Sequence, residues 1–209
     1  MAEPVAATVD RLRGRAGFLP VDAVAGLADD GVLVLDPFST LVSPGVALAA
    51  GVTLWPGTIL QATGDGRIAI GAETQLFPGT RIVAAGGRVS VGTMAEIGEE
   101  GGFTIKADQP GNLVEIGSGA RLLGGGSLTL CNSIGDGAQV LGPIRMQNCR
   151  LQAGGSHREP DPDRRGGVLK GSGVARGLTV PTGMVIQAFG LFSEDDLRPQ
   201  TFFHPKPRE

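Results

Sequence analysis

The fold class predicted for this 209-residue chain is all-β, a stack of short-strand coils, and three observations predict it. Aliphatic side chains return every six positions, as in "VALAAG" and "VTLWPG" from Val46 onward. That period matches neither an amphipathic helix nor a hairpin sheet; it fits a short strand plus a turn, repeated, with one aliphatic per unit aimed at a shared axis. Glycine occurs 35 times without a G-X-Y period, which excludes collagen, and 41% hydrophobic residues exclude a disordered tract. There is no tyrosine and only 4% aromatic residue, so the core must be built from small aliphatics.

The elements follow in chain order. Residues 1–33, including "AATVDRLRGRAGFLPVDAVAGLADDGV", mix helical spacing with a Pro break and predict a partly helical cap over the first open edge. Residues 34–190 carry the repeat, with "IGAETQ", "LFPGTR", "IGSGAR", "IGDGAQ" and, after an interruption, "VLKGSG", "VARGLT" and "VPTGMV". The dyads Ile70-Gly71, Ile97-Gly98, Ile116-Gly117 and Ile134-Gly135 recur in phase, and there is room for about eight coils. Two segments break phase and are expected as loops. One is 99–112, with Lys106 and Asp108; the other is 154–167, within "AGGSHREPDPDRRGGVLKG". Residues 191–209 are polar and Pro-rich and predict an irregular tail reaching to a neighbouring subunit. Trp55 and Phe77 follow aliphatics in "LWPG" and "LFPG", which projects them from similar corners of neighbouring coils, towards a subunit interface or a stacked ligand.

Charge and composition exclude several functions. A net charge of −3 and a pI near 5.4 argue against nucleic acid as a partner. The cations are scattered arginines rather than a polybasic membrane patch, and no run approaches the ~18 apolar residues of a membrane span. The start lacks the basic-then-apolar order of a secretory signal. Two cysteines, Cys131 and Cys149, make no disulfide framework; they are expected as buried free thiols in a cytoplasmic protein.

The six-residue cycle resembles the hexapeptide-repeat proteins. That resemblance implies a left-handed parallel β-helix with three hexads per triangular coil, and a homotrimer of parallel prisms. The stretch Gly31–Ile82 is similar to the opening of the acetyltransferase half of the bifunctional glucosamine-1-phosphate acetyltransferase/uridylyltransferase family. It carries "GV-x-x-x-DP-x-x-T" at Gly31, Val32, Asp36, Pro37 and Thr40, then "P-G-T-x-L" at Pro56, Gly57, Thr58 and Leu60. The resemblance spans the scaffold from about Gly31 to Ile186. It implies acetyl-CoA or another acyl-CoA as co-substrate, but no uridylyl transfer, because nothing like the nucleotidyltransferase half precedes Asp36. That family's catalytic histidine falls at or beside Gly142-Pro143 and its lysine pair near Leu130-Cys131, so both are missing here. The family also builds part of its substrate site from a loop after the next coil, where this chain has 154–167.

That loop supplies the candidate residues. His157 is the candidate base, since an imidazole can take a proton from an attacking amine or hydroxyl, with Glu159, Asp161 or Asp163 fixing its tautomer. Arg158, Arg164, Arg165 and Lys170 are candidates for binding substrate or the phosphates of coenzyme A, with Asp161 and Asp163 as polar partners. The N–H groups of Gly154 and Gly155 could stabilise an oxyanion. The competing reading of each is a solvated surface turn. The γ-class carbonic anhydrases of the same fold hold zinc with three histidines; with only His157 and His204 here, no metal site is expected, beyond a weak carboxylate cluster in "EPDPD". The expected function is acyl transfer from coenzyme A to an amine or hydroxyl of a small acceptor, in a cleft between trimer subunits. A non-catalytic scaffold or binding protein, or an isomerase or lyase reaction in the same cleft, is the alternative.

Overall fold

The computed structural model describes residues 5–205; the outermost four residues of the predicted cap and of the predicted tail lie outside the described residues. The chain winds into a parallel β-helix with three faces, as the six-residue cycle predicts. Strand register stacks the inward aliphatics into three ladders. One runs Val34, Leu54, Leu76, Ile97, Leu122, Val140, Leu169 and Ile186. A second runs Val42, Leu60, Ile82, Ile105, Leu128, Met146 and Ala175. The third face is a seven-stranded sheet, with the ladder Leu48, Ile70, Val91, Ile116, Ile134, Leu151 and Val180. The interior rungs are buried and form one continuous core. Burying each such side chain stabilises the fold by about 1.5–3 kcal/mol relative to exposure.

The recurring threonines are coil-to-coil clips. Thr58 donates its hydroxyl to the Trp55 and Leu76 carbonyls at 2.7 and 3.2 Å, Thr74 to Gly92 O at 2.8 Å and Thr80 to Ile97 O at 2.9 Å. All three are fully buried, and their backbone acceptors are what makes that burial affordable. The threonine of "P-G-T-x-L" therefore has a purely architectural reason to be there.

The N-terminal end is closed by a helical cap. Helices α1 (Val5–Arg15) and α2 (Val21–Gly26) flank Pro20, which is extended and sits at the N-cap of α2. Asp10 Oδ1 accepts the Val21 N–H at 2.8 Å, tying α1 to α2, and Leu19 N donates to Val42 O at 2.8 Å on the first coil. Buried Arg13 donates from Nη2 to Pro37 O at 2.9 Å and to Phe38 O at 2.7 Å. Both acceptors lie in the "DPFST" turn that follows the first strand. Within that turn Asp36 accepts from the Ser39 hydroxyl and the Phe38 N–H. Those bonds, the hydroxyl first, hold its carboxyl below the usual range.

Three expectations change here. The segment 99–112 is not one extruded loop: Thr104–Ala107 is a strand in register with Arg81–Ala84 below and Ser127–Thr129 above, and only the flanking glycine and proline turns leave the coil. Ile105 and Ala107 keep the inward alternation that the surrounding glycines mask in the sequence. Cys149 is buried but Cys131 is exposed, at a turn where neighbouring Leu130 has a φ of 66°. The described part of the tail folds back on its own prism. Leu197–Pro199 pairs antiparallel with Met184–Ile186, and Leu197 packs on the core. Trp55 and Phe77 do project from corresponding corners, and their rings stack at 5.6 Å. No helix among the described residues is long and apolar enough to cross a membrane.

Candidate functional site

The last coils are less regular than the first, and the irregularity makes a cavity. Strand Val168–Arg176 is long because it turns a corner of the prism, pairing with Gln139–Leu141 on one face and with Ile144–Gln147 on the next. Gly171 and Gly173 permit the bend, with φ of 123° and 136°. Below them Gly142 has a φ of 120°, and a Cβ there would lie 2.0 Å from the Gly171 carbonyl. Of the Gly142-Pro143 pair, at or beside which the resemblance puts the family's histidine, the glycine position has no room for a side chain.

Before this strand the chain leaves the coil at Leu151 and returns at Val168. The excursion is internally braced. Gly155 N donates to Arg164 O at 2.8 Å, Arg165 Nε donates to Glu159 O at 2.8 Å, and Glu159 Oε1 accepts Asp161 N at 3.3 Å. Asp161 caps the short 3-10 turn Pro162–Arg164 by accepting Asp163 N at 3.2 Å. The tail is then hooked over this loop. Gln200 Nε2 donates to Gly166 O at 2.8 Å, and Thr201 donates from its N and its hydroxyl to the two Asp163 carboxylate oxygens, each at 3.0 Å.

Between loop, corner strand and tail lies a cavity of about 290 Å³. Its wall includes His157 and Arg165 from the loop, Gln139 and Lys170 from adjacent coils, and Phe203 and His204 from the tail. Leu141 and Lys170 also line a neighbouring trough of about 400 Å³, floored by Gly124, Gly142 and Gly171. Cavity and trough meet at Lys170.

His157 is half-buried, and its Nδ1 is buried without a hydrogen-bond partner. Burial is the largest cause that pushes its pKa below 6.5; the charges of Arg121, Arg158 and Arg165 act the same way, and Glu96 partly offsets them. The shift favours the neutral imidazole, the form a base requires.

The structure brings His157, Arg165 and Lys170 of the predicted set to one cavity. Arg158 and Arg164 are exposed and outside its wall. Asp163 is the hook for the tail, and Asp161 and Glu159 accept backbone N–H groups of the loop. No Glu159 bond orients Nδ1 of His157. The oxyanion role expected of Gly154 and Gly155 is corrected, because their N–H groups already donate to Asp136 O at 2.9 Å and Arg164 O at 2.8 Å. No group of three or more His, Cys, Asp or Glu side chains is placed to hold a metal among the described residues.

His204, Phe203, Gln139 and Gln200 are wall residues that sequence reasoning missed, along with the aliphatics Leu141, Val168 and Val185. The six-residue phase gives a position along the coil but not the path of a tail that has left it. The available signal was that "FFH" interrupts an otherwise polar segment. No protein-family model matches this chain, and no curated protein matches it, so the likeness to hexapeptide-repeat proteins stands on the fold and the repeat.

Proposed function

We propose that the protein is an acyltransferase that takes an acyl group from coenzyme A to an amine or hydroxyl of a small acceptor. Three-fold assembly belongs to the same proposal. The observation that carries it is a half-buried histidine with an unpartnered Nδ1 on a cavity wall that a cation joins to a glycine-floored trough. In this reading the trough takes the thioester arm, since glycine corners leave backbone in reach of an extended chain. His157 accepts the proton as the acceptor's N or O bonds to the thioester carbonyl carbon. The C–S bond then breaks, and the thiolate leaves with that proton. Lys170, at the junction, stands where charge develops on the carbonyl oxygen, replacing the backbone donors that Gly154 and Gly155 do not supply.

The test is thiol release from acetyl-CoA across a panel of small amines, amino acids and hydroxy acids. His157→Gln is expected to lower kcat by about 10²-fold or more with little change in KM for acetyl-CoA. If acetyl-CoA neither binds at about millimolar concentration nor releases thiol with any acceptor, the reading is wrong. The unpartnered Nδ1 of His157 gives the second reading, a binding protein whose ligand completes that hydrogen bond. Ligand binding without thiol release would select it.

A further inference from the structure

Every ionisable group on the cavity wall is basic: Arg165, Lys170, His157 and His204, with no aspartate or glutamate among the lining residues. The chain as a whole has 21 acids against 18 lysines and arginines, so this wall runs against the composition. The cations are also uncommitted. Arg165 uses Nε on the Glu159 carbonyl, leaving its two terminal nitrogens without an acceptor among the described residues. Neither Lys170 nor the His204 ring is bonded to any described side chain. Arg121, one coil away, shows the alternative, paired with Glu96 at 2.8 Å. Unpaired cations on a concave, partly apolar wall focus positive potential into it.

The rest of the wall is two amides, Gln139 and Gln200, and the apolar side chains of Leu141, Val168, Val185 and Phe203. A volume near 290 Å³ lies at the lower end of ligand pockets. We infer that the cavity takes a small organic anion, a carboxylate or phosphate monoester on a short apolar body. Its anionic end sits in the Arg165 fork between Lys170 and His204, and its body lies against Phe203 and the aliphatics. If the acyl-transfer reading holds, on which only this last step rests, the anion is the acceptor, and its amine or hydroxyl faces His157.

The test is calorimetric titration of the full chain, without coenzyme A, using benzoate, phenyl phosphate, inorganic phosphate and the neutral benzamide. Benzoate or phenyl phosphate is expected to saturate at about millimolar concentration or below, with benzamide at least about tenfold weaker. Which of the two anions binds tighter identifies the headgroup, and inorganic phosphate reports how much the apolar body adds. Lys170→Gln, in an exposed position just before the bend at Gly171, should weaken the anion about tenfold, and Arg165→Gln at least as much, with Arg165→Lys restoring part. Benzamide binding as well as benzoate overturns the inference, as does absence of binding by both organic anions, or wild-type affinity in both Gln variants. The two readings fail separately. Anion binding without thiol release removes acyl transfer alone, whereas thiol release equally fast with neutral amines and with amino acids removes the anion site alone.

Discussion

The two ends of the prism use their cations in opposite ways. At the N-terminal end Arg13 is buried and donates to two backbone carbonyls, binding the helical cap to the turn after the first strand. At the C-terminal end Arg165, Lys170 and His204 surround a cavity; Arg165 gives only Nε to a backbone carbonyl, and its terminal nitrogens, Lys170 and the His204 ring have no such acceptors among the described residues. Both ends face the same problem, an open strand edge that must be covered. The first end solves it by committing Nη2 of a buried cation to two backbone carbonyls, a structural contact, while Arg13 Nη1 and the Thr40 and Ser43 hydroxyls are buried without partners among the described residues. The second covers only part of its edge, with Leu197–Pro199 on Met184–Ile186, and leaves its polar groups for a ligand.

The largest effect that would sharpen this contrast comes from the corner that makes the cavity possible. Gly171 has a φ of 123°, and a Cβ there would lie 2.0 Å from the Ala188 carbonyl of strand Met184–Leu191. Gly171→Ala is expected to cost about 3 kcal/mol or more, read as a drop in the denaturant midpoint, and to abolish ligand binding with it. A variant as stable as the wild type would mean that the corner can be built another way. Next comes Arg13→Met, which keeps the apolar stem but strands the Pro37 and Phe38 carbonyls. It should cost about 2–4 kcal/mol while leaving the affinity of the distant cavity unchanged among folded molecules. Lys170→Gln, by contrast, should change stability by no more than about 0.5 kcal/mol. If Arg13 and Lys170 substitutions gave matching stability losses, the distinction between the ends would collapse.

A smaller effect tests the hook. Asp163→Ala removes two exposed hydrogen bonds to Thr201, worth about 1 kcal/mol together after solvent competition. Stability should fall by about that amount. Ligand affinity should fall further, because the wall residues Phe203 and His204 follow directly on the hooked Thr201. Unchanged affinity would show that the tail wall is dispensable.

How much of this was legible in the sequence follows from the same contrast. The coil interior was, because each inward position is an aliphatic at fixed spacing and register translates spacing directly into stacking. Leu76, Ile97 and Leu122 meet in space although turns of different lengths separate them. The strand Thr104–Ala107 was missed because glycines on either side broke the count, while the alternation of Ile105 and Ala107 survived. The loop 154–167 was legible as a place but not as a set of roles. Its acids and arginines look alike in sequence, and only the fold shows Asp161 capping a turn, Asp163 holding the tail and Arg165 turned to the cavity. The contribution of His204 depends on a chain reversal that no local pattern encodes.

The smallest effect concerns His157, and its sign follows from burial. The folded protein holds this pKa below 6.5, mainly through desolvation and then through the charges of Arg121, Arg158 and Arg165 against Glu96. The unfolded chain therefore takes up the proton first as pH falls. Above pH 6.5 both states are neutral and His157 contributes nothing to the pH dependence; as pH falls through 6.5, the native state loses stability relative to the unfolded state. The loss stops growing below the folded pKa, where both states are protonated. His157→Gln should flatten this limb and leave the curve unchanged at higher pH. Arg121→Gln should move the His157 titration upward, since it removes an opposing cation and frees Glu96, its ion-pair partner at 2.8 Å. With two histidines in the chain, the imidazole proton resonances are assigned by a single His204→Gln comparison. In activity, the acid limb should have its midpoint below 6.5 in the wild type and nearer to it in Arg121→Gln. A His157 titration at or above 6.5 would remove the neutral base at the cavity wall and, with it, the functional difference between the two ends.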